Sequence, residues 1–185
     1  MLRSFRKLSF FIAAVAAMAP SISSANQFGF MIGGGVDVRS SIDTIALIPY
    51  FNSGDIAGNS KLRYHIPVAF SFDQEGSAAP DVFGISVIPS IEYDLISESK
   101  FGVSTTIGVA LGYNTIEATG GNIDQFAVGV VPSLHLKYAV SDKVILRFVP
   151  ASLNVSPWSY TSDGVGSETE VAIAYQIQGG IGYNF

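Results

Sequence analysis

Seven ionisable residues stand out by their spacing: Arg63 and His65, Glu92 and Asp94, His135 and Lys137, with Arg147 by itself. Each pair is separated by one residue, which puts both side chains on one face of a β-strand. Strands carrying such pairs would gather acids, histidines and cations into a single cluster. Simple hairpin registers set Arg63 beside Glu92 or Asp94, and Lys137 beside Arg147. That is the pattern of a salt-bridged plug, in which buried charges are tolerable because they are paired. The same registers set Ser104 between Glu92 and His135, the three residue types of a serine hydrolase. A triad needs its histidine in the middle, taking the serine proton while the acid orients the ring. Here the serine is in the middle, so no catalytic residue is expected.

Other chemistries are excluded more simply. The chain has no cysteine, which removes thiol chemistry, disulfides and Cys-based metal sites. Gly33-Gly34-Gly35 lies in a strand pattern and leads into no helix, so it is not a nucleotide loop. Neither a cofactor nor a metal is expected. With Arg3, Arg6 and Lys7 set aside, only seven basic residues face 15 acidic ones. Such a chain is a poor partner for nucleic acid.

The elements that must position the cluster repeat with period two. In Leu62–Phe72 the apolar face is Leu62, Tyr64, Ile66, Val68, Phe70 and Phe72, opposite Arg63, His65, Ala69 and Ser71. Similar alternation runs from Gln27, Phe83, Phe101, Phe126 and Val171, and more weakly through Thr44–Phe51 and Val144–Val155. That makes eight strands, with Gly, Ser, Asn and Asp clustered in the gaps, where turns need them. One face is nearly all Val, Ile, Leu, Phe and Tyr. The other holds glycine, serine and more charge than a protein core can pack. A soluble, lipocalin-like barrel has the same period, but its apolar face would have to point inward. The economical solution is inside out: an all-β, eight-stranded, antiparallel, up-and-down transmembrane β-barrel, apolar to lipid and polar to the lumen.

The first residues agree. Arg3, Arg6 and Lys7 precede an apolar run from Leu8 to Met18, and Ser23 and Ala25 suit a cleavage site before Asn26. This is the pattern of a secretory signal peptide over 1–25, leaving the barrel as 26–185. The chain ends in Ile181-x-Tyr183-x-Phe185, alternating to the last residue.

On this pattern and that ending, the chain resembles the small eight-stranded outer-membrane β-barrels of Gram-negative bacteria, the OmpA-barrel, OmpX and opacity-protein type. The resemblance covers 26–185. It implies an outer-membrane location and a last strand closing on the first. It also implies that Ile181, Tyr183 and Phe185 act as the signal read by the barrel-assembly machinery. Outer-membrane lipid and lipopolysaccharide are the implied surroundings, and a monomer is expected. With both termini periplasmic, the outer loops fall at about 39–43, 73–81, 115–124 and 156–169, and the inner turns at about 52–61, 96–100 and 141–143. Asp43, Asp73, Glu75, Asp81, Glu117, Asp124, Asp163, Glu168 and Glu170 then lie in or beside outer loops, with divalent bridging to lipopolysaccharide phosphates as their sharper use. A lipid A deacylase pattern is not matched, since His135-Leu136-Lys137 has no serine two residues after the histidine.

Two further features bear on function. Small residues face inward toward the outer end: Gly33, Gly35, Ala69, Ser71, Gly84, Ser86, Gly108, Ala110, Gly112, Ala127, Gly129, Ala172 and Ala174. They leave room for a cavity above the charges, water-filled or holding an acyl chain or other small apolar ligand. Five prolines, Pro49, Pro67, Pro89, Pro132 and Pro150, fall near mid-strand, where each removes a ladder donor. They predict a ring of β-bulges or, more sharply, weakened pairing that opens a lateral path from the outer leaflet. The expected function is a non-enzymatic role in envelope structure or surface interaction. The alternative is a barrel that binds or modifies an outer-leaflet lipid or small apolar ligand. A narrow pore ranks third, because the charged plug should block flow.

Overall fold

In the computed structural model, residues 25–37, 43–73, 82–118, 121–161 and 172–185 are described. They form nine strand segments: β1 (Ala25–Asp37), β2 (Asp43–Ile56), β3 (Asn59–Asp73), β4 (Val82–Val87), β5 (Ser90–Ser97), β6 (Phe101–Ala118), β7 (Gly121–Ala139), β8 (Val144–Thr161) and β9 (Ala172–Asn184). β4 and β5 are the two halves of one stave, interrupted at Ile88-Pro89, so the barrel has eight. All neighbours pair antiparallel, and β9 closes on β1 with Gln27 opposite Asn184 and Gly35 opposite Gln176. The signal-peptide expectation lies outside the described residues except for Ala25, which opens β1.

Burial follows the period of two. Along β5 the residues alternate buried and exposed, with Glu92 at 1% and Ile91 at 46%. On β6, Ser104 and Thr106 are buried while Ile107 is 61% exposed. Outward apolar side chains ring the barrel, from Ile32 and Leu47 through Leu111, Leu134 and Phe148 to Ile181. A water-soluble protein rarely exposes so continuous an apolar surface, whereas lipid solvates it at no cost. Aromatic contacts mark both ends: Phe28 with Phe51 at 5.2 Å near the inner turns, Phe72 with Phe83 at 5.5 Å and Tyr113 with Phe126 at 5.0 Å near the outer loops. Ile181, Tyr183 and Phe185 point outward at the closing seam.

The turns are tighter than their composition predicts. The inner connection expected over 52–61 is two residues, Ala57 and Gly58, both at positive φ (52° and 76°), between the paired residues Ile56 and Asn59. Two positive-φ residues give the turn twist that matches paired strands. The polar run Asn52 to Asp55 reads as loop, yet it continues β2 by way of a bulge. On the outer side β6 and β7 reach Ala118 and Gly121, and β8 runs to Thr161, several residues past the expected ends.

The prolines do not form a ring of bulges. Only Pro150 sits in one, where β8 inserts an extra residue between Val149 and Ser152. Pro89 lies in the break between β4 and β5. Pro49, Pro67 and Pro132 keep ladder positions opposite Phe30, Tyr50 and Ile107. The cost appears on adjoining seams. The β2–β3 register passes from Leu47–Phe70 to Tyr50–Pro67, and the β7–β8 register from Val130–Val155 to Ser133–Ser152, skipping two rungs each. At the β4–β5 break the neighbouring seams stay bonded: Ile88 N–H donates to the Pro67 carbonyl at 3.0 Å, and Val109 N–H to the Pro89 carbonyl at 3.1 Å. On the lipid face, the Tyr175 hydroxyl donates to the Pro150 carbonyl at 2.5 Å.

Candidate functional site

The inner half of the lumen is built around Glu92. Its Oε1 accepts from Ser104 Oγ at 2.6 Å and Lys137 Nζ at 2.9 Å. Its Oε2 accepts from Arg147 Nη1 and Nη2 at 3.1 and 3.2 Å, and from Asn52 Nδ2 at 3.4 Å. Lys137 also pairs with Asp94, whose other oxygen lies 3.2 Å from Arg63 Nη2. Both carboxylates are therefore fully answered by cations and hydroxyls, which makes their burial tolerable.

The network extends around the wall. Asn52 Nδ2 donates to Gln27 Oε1 at 2.9 Å, and Gln27 Nε2 to Asn184 Oδ1 at 2.7 Å. His65 Nδ1 meets Asn52 Oδ1 at 2.5 Å. His135 stands edge-on to His65, ring centres 5.3 Å apart. Every one of the eight staves thus contributes a polar side chain to one connected set, including the two that meet at the β1–β9 seam.

All seven ionisable residues singled out by spacing meet here. The rungs Arg63–Glu92 and Lys137–Arg147 are present as the simple registers give them. The contacts those registers do not give are transverse ones, above all Arg147 on β8 with Glu92 on β5 across the lumen.

Serine chemistry does not assemble. Ser104 donates to Glu92, while His135 Nε2 lies 2.9 Å from Ser133 Oγ and 3.3 Å from Thr106 Oγ1. Arg147 Nη1 is 3.0 Å from His135 Nδ1. A guanidinium only donates, so Nδ1 accepts and the ring proton sits on Nε2, facing the serine. A base would need the opposite arrangement, with Nε2 free to accept and an acid at Nδ1.

An apolar layer that the alternation did not reveal lies beside this network. Met31, Ala46, Ile48, Tyr50 and Val149 pack into the lumen and are almost wholly buried. Tyr50 explains two glycines: a Cβ at Gly29 would fall 2.1 Å from its ring, and one at Gly182 would fall 2.4 Å from its hydroxyl. The Arg147 guanidinium sits 5.0 Å from the centre of the same ring. The sequence signal was the run Ala46-Leu47-Ile48-Pro49-Tyr50-Phe51, apolar on both faces.

The outer half is uncharged among the inward side chains described. The small residues expected to line a cavity are there but frame no single open space, because neighbours fold onto them. Gln178 covers Gly33, Gln176 covers Gly35, Ser71 and Asn114 cover Gly84, and Asn154 and Ser156 cover Gly129. Gly108 faces Ser90 and Ile88, whereas Gly112 has no contact closer than 3.8 Å. Ala69 joins the apolar layer, and Ala110 is buried. Ala127, Ala174 and Ser86 are half-buried, and the Ala172 side chain lies outside the described set. Above the charges a cavity of about 20 Å³ is bounded by Ile48, Pro67, Ala69 and Ile88 on one side and His135, Ser152 and Gln178 on another. That is room for about one water molecule, not for an acyl chain. The expected loop cation site also lies outside the described side chains, except for Asp124, which accepts from Tyr113 Oη at 2.8 Å.

No protein-family model matches the chain, and no curated protein matches it in sequence. Solved structures do share its fold. Neisserial surface protein A superposes with a TM-score of 0.62 at 15% identity, over 86% of this chain and 95% of that one. The outer membrane protein OprG from Pseudomonas aeruginosa gives 0.57 at 10%, over 88% and 97%. The outer membrane enzyme PagL gives 0.54 at 12%, over 82% and 97%. The fold is that of the small eight-stranded outer-membrane barrels. At these identities the likeness carries architecture, and the role must be argued from this chain's own lumen.

Proposed function

We propose that the protein is an integral barrel of the bacterial outer membrane with a non-enzymatic role in envelope structure or surface interaction. The observation that carries this reading is the network about Glu92. It draws on all eight staves, leaves neither carboxylate oxygen of Glu92 unanswered, and sets His135 in the wrong protonation form for a base. A lumen spent on closing the barrel leaves its outer loops and lipid-facing wall as the surfaces for interaction. The test has three parts. On SDS gels, unboiled protein from outer membranes should migrate differently from boiled protein. Planar bilayers should show no stable conductance, and lipid A from expressing cells should have an unchanged mass. Altered lipid A, or well-defined channel openings, would overturn the reading.

A second reading is favoured by one observation: the skipped rungs at Ile48-Pro49 against Val68-Ala69 lie beside the wall of the small lumen cavity. A barrel that admits an apolar ligand through weakened pairing would open there. Pro49→Val, which returns a donor to those rungs, should then lower entry of a small spin-labelled apolar probe into the lumen. Unchanged entry would dismiss it.

A further inference from the structure

The inner end of the lumen is not sealed flush with the turns. Below the network lies a vestibule of about 130 Å³, open toward the side with short turns, which faces the periplasm in barrels of this architecture. Its space has local causes. Gly102 and Ala139 carry little or no side chain on its wall, and a register shift between Asp94 and Ile96 turns the end of β5. Its roof is the half-buried Lys137 and the buried Arg147, both already committed to Glu92.

The charges at the mouth are different. Glu98 and Lys100, on the turn between β5 and β6, are exposed, line the vestibule, and have no side-chain partner among the described residues. Arg63 spends Nη2 on Asp94 and the Ser60 carbonyl, which leaves its Nε and Nη1 donors to spare. One uncommitted carboxylate and two cationic groups with spare donors therefore face a small space. A simple anion there would meet Glu98, and a simple cation would meet Lys100 and Arg63. A ligand carrying both charges close together satisfies all three.

We propose that this vestibule binds the zwitterionic head of a small α-amino acid, its ammonium on Glu98 and its carboxylate between Lys100 and Arg63. The roof cations are already paired with Glu92 and Asp94, so the mouth groups set the direction of the ligand. The volume limits the side chain to a small one.

Amide NMR of the processed, ¹⁵N-labelled barrel in detergent micelles tests this. Alanine should shift the Ser97, Gly102 and Ala139 amides saturably with a Kd on the order of 1–10 mM. Acetate or ethylammonium alone should move them little. Tri-alanine should bind less well than alanine, since its termini are roughly 7–10 Å apart when extended. Glu98→Gln and Lys100→Gln, both on an exposed turn, should each weaken alanine binding about tenfold while the gel-shift signature of the folded barrel persists. The proposal is overturned by equal shifts from acetate and alanine, by stronger binding of tri-alanine, by unaltered binding in both variants, or by no shift up to about 100 mM alanine.

Discussion

The two halves of the lumen solve the same problem with opposite chemistry. Both must fill a narrow tube whose wall is backbone, and both must leave no polar group unanswered. The inner half does it with charge: Glu92 and Arg147 are each buried to within 2% of completely, and every partner is placed by a different stave. The outer half does it with amides laid over glycines, half-buried and uncharged, mostly bonding along one stave or to the next. Gln178 donates to Gln176, Ser156 to Asn154, and Asn114 to Gln125 on the adjoining stave. Among the described residues, every hydrogen bond or ion pair between staves that share no ladder involves a charged side chain, and all of them lie in the inner half.

The largest test of this contrast removes the hub. Glu92→Leu leaves Arg147 and Lys137 buried with one acid, Asp94, between them. Breaking a buried pair from one side costs about 3–5 kcal/mol, and the variant should lose stability of that size in urea titrations of the refolded barrel. Glu92→Gln keeps the shape and should lose less. Equal stability of Glu92→Leu and the parent would mean that the charges are solvated and the network is not structural.

A second test probes the apolar layer between the halves. Gly29→Ala forces a methyl group into the Tyr50 ring, and such overpacking costs about 1–3 kcal/mol. In a Tyr50→Leu background the same change should cost less than about 0.5 kcal/mol, because the two sites couple only through contact. Additive losses would show that Gly29 is required by its backbone and not by Tyr50.

How far this arrangement is legible from residues alone depends on the direction of contact. Alternation gives the staves, and the i, i+2 pairs give the rungs Arg63–Glu92 and Lys137–Arg147, since both follow from local geometry. Arg147 to Glu92 does not, because no hairpin register joins β8 to β5. Ile48 and Tyr50 are not singled out, because both faces of Ala46–Phe51 are apolar and look alike until the register is known. The glycines mislead for a related reason. Gly33 and Gly35 look like room, but the missing Cβ is where Gln178 and Gln176 lie. Only the position of the neighbour's side chain distinguishes a void from a seat. Asn52 to Asp55 reads as loop because turn-forming residues also suit a bulged strand whose inward face is polar.

A third test lies on the outer wall, at the bulge that bends β8. Tyr175→Phe strips the hydroxyl that serves the Pro150 carbonyl on the lipid face. In water the carbonyl would find another donor; in lipid it cannot, so the loss should be about 1–2 kcal/mol. In a detergent that admits water to the belt, the difference should shrink.

The smallest effect is expected where the two halves differ most. Gln178→Leu is the outer counterpart of Glu92→Leu: it removes an inward polar group and leaves Gln176 Oε1 without that donor. Gln178 and Gln176 are both half-buried, so water can replace what is lost, and no charge is stranded. The expected change is within about 0.5 kcal/mol, the size of an ordinary surface substitution. A loss rivalling that of Glu92→Leu would mean that the amides act as a second buried lattice, and that charge is not what distinguishes the inner half. If the loss is small while the hub is costly, stability resides in the transverse bonds. The outer wall is then free to vary without loosening the barrel.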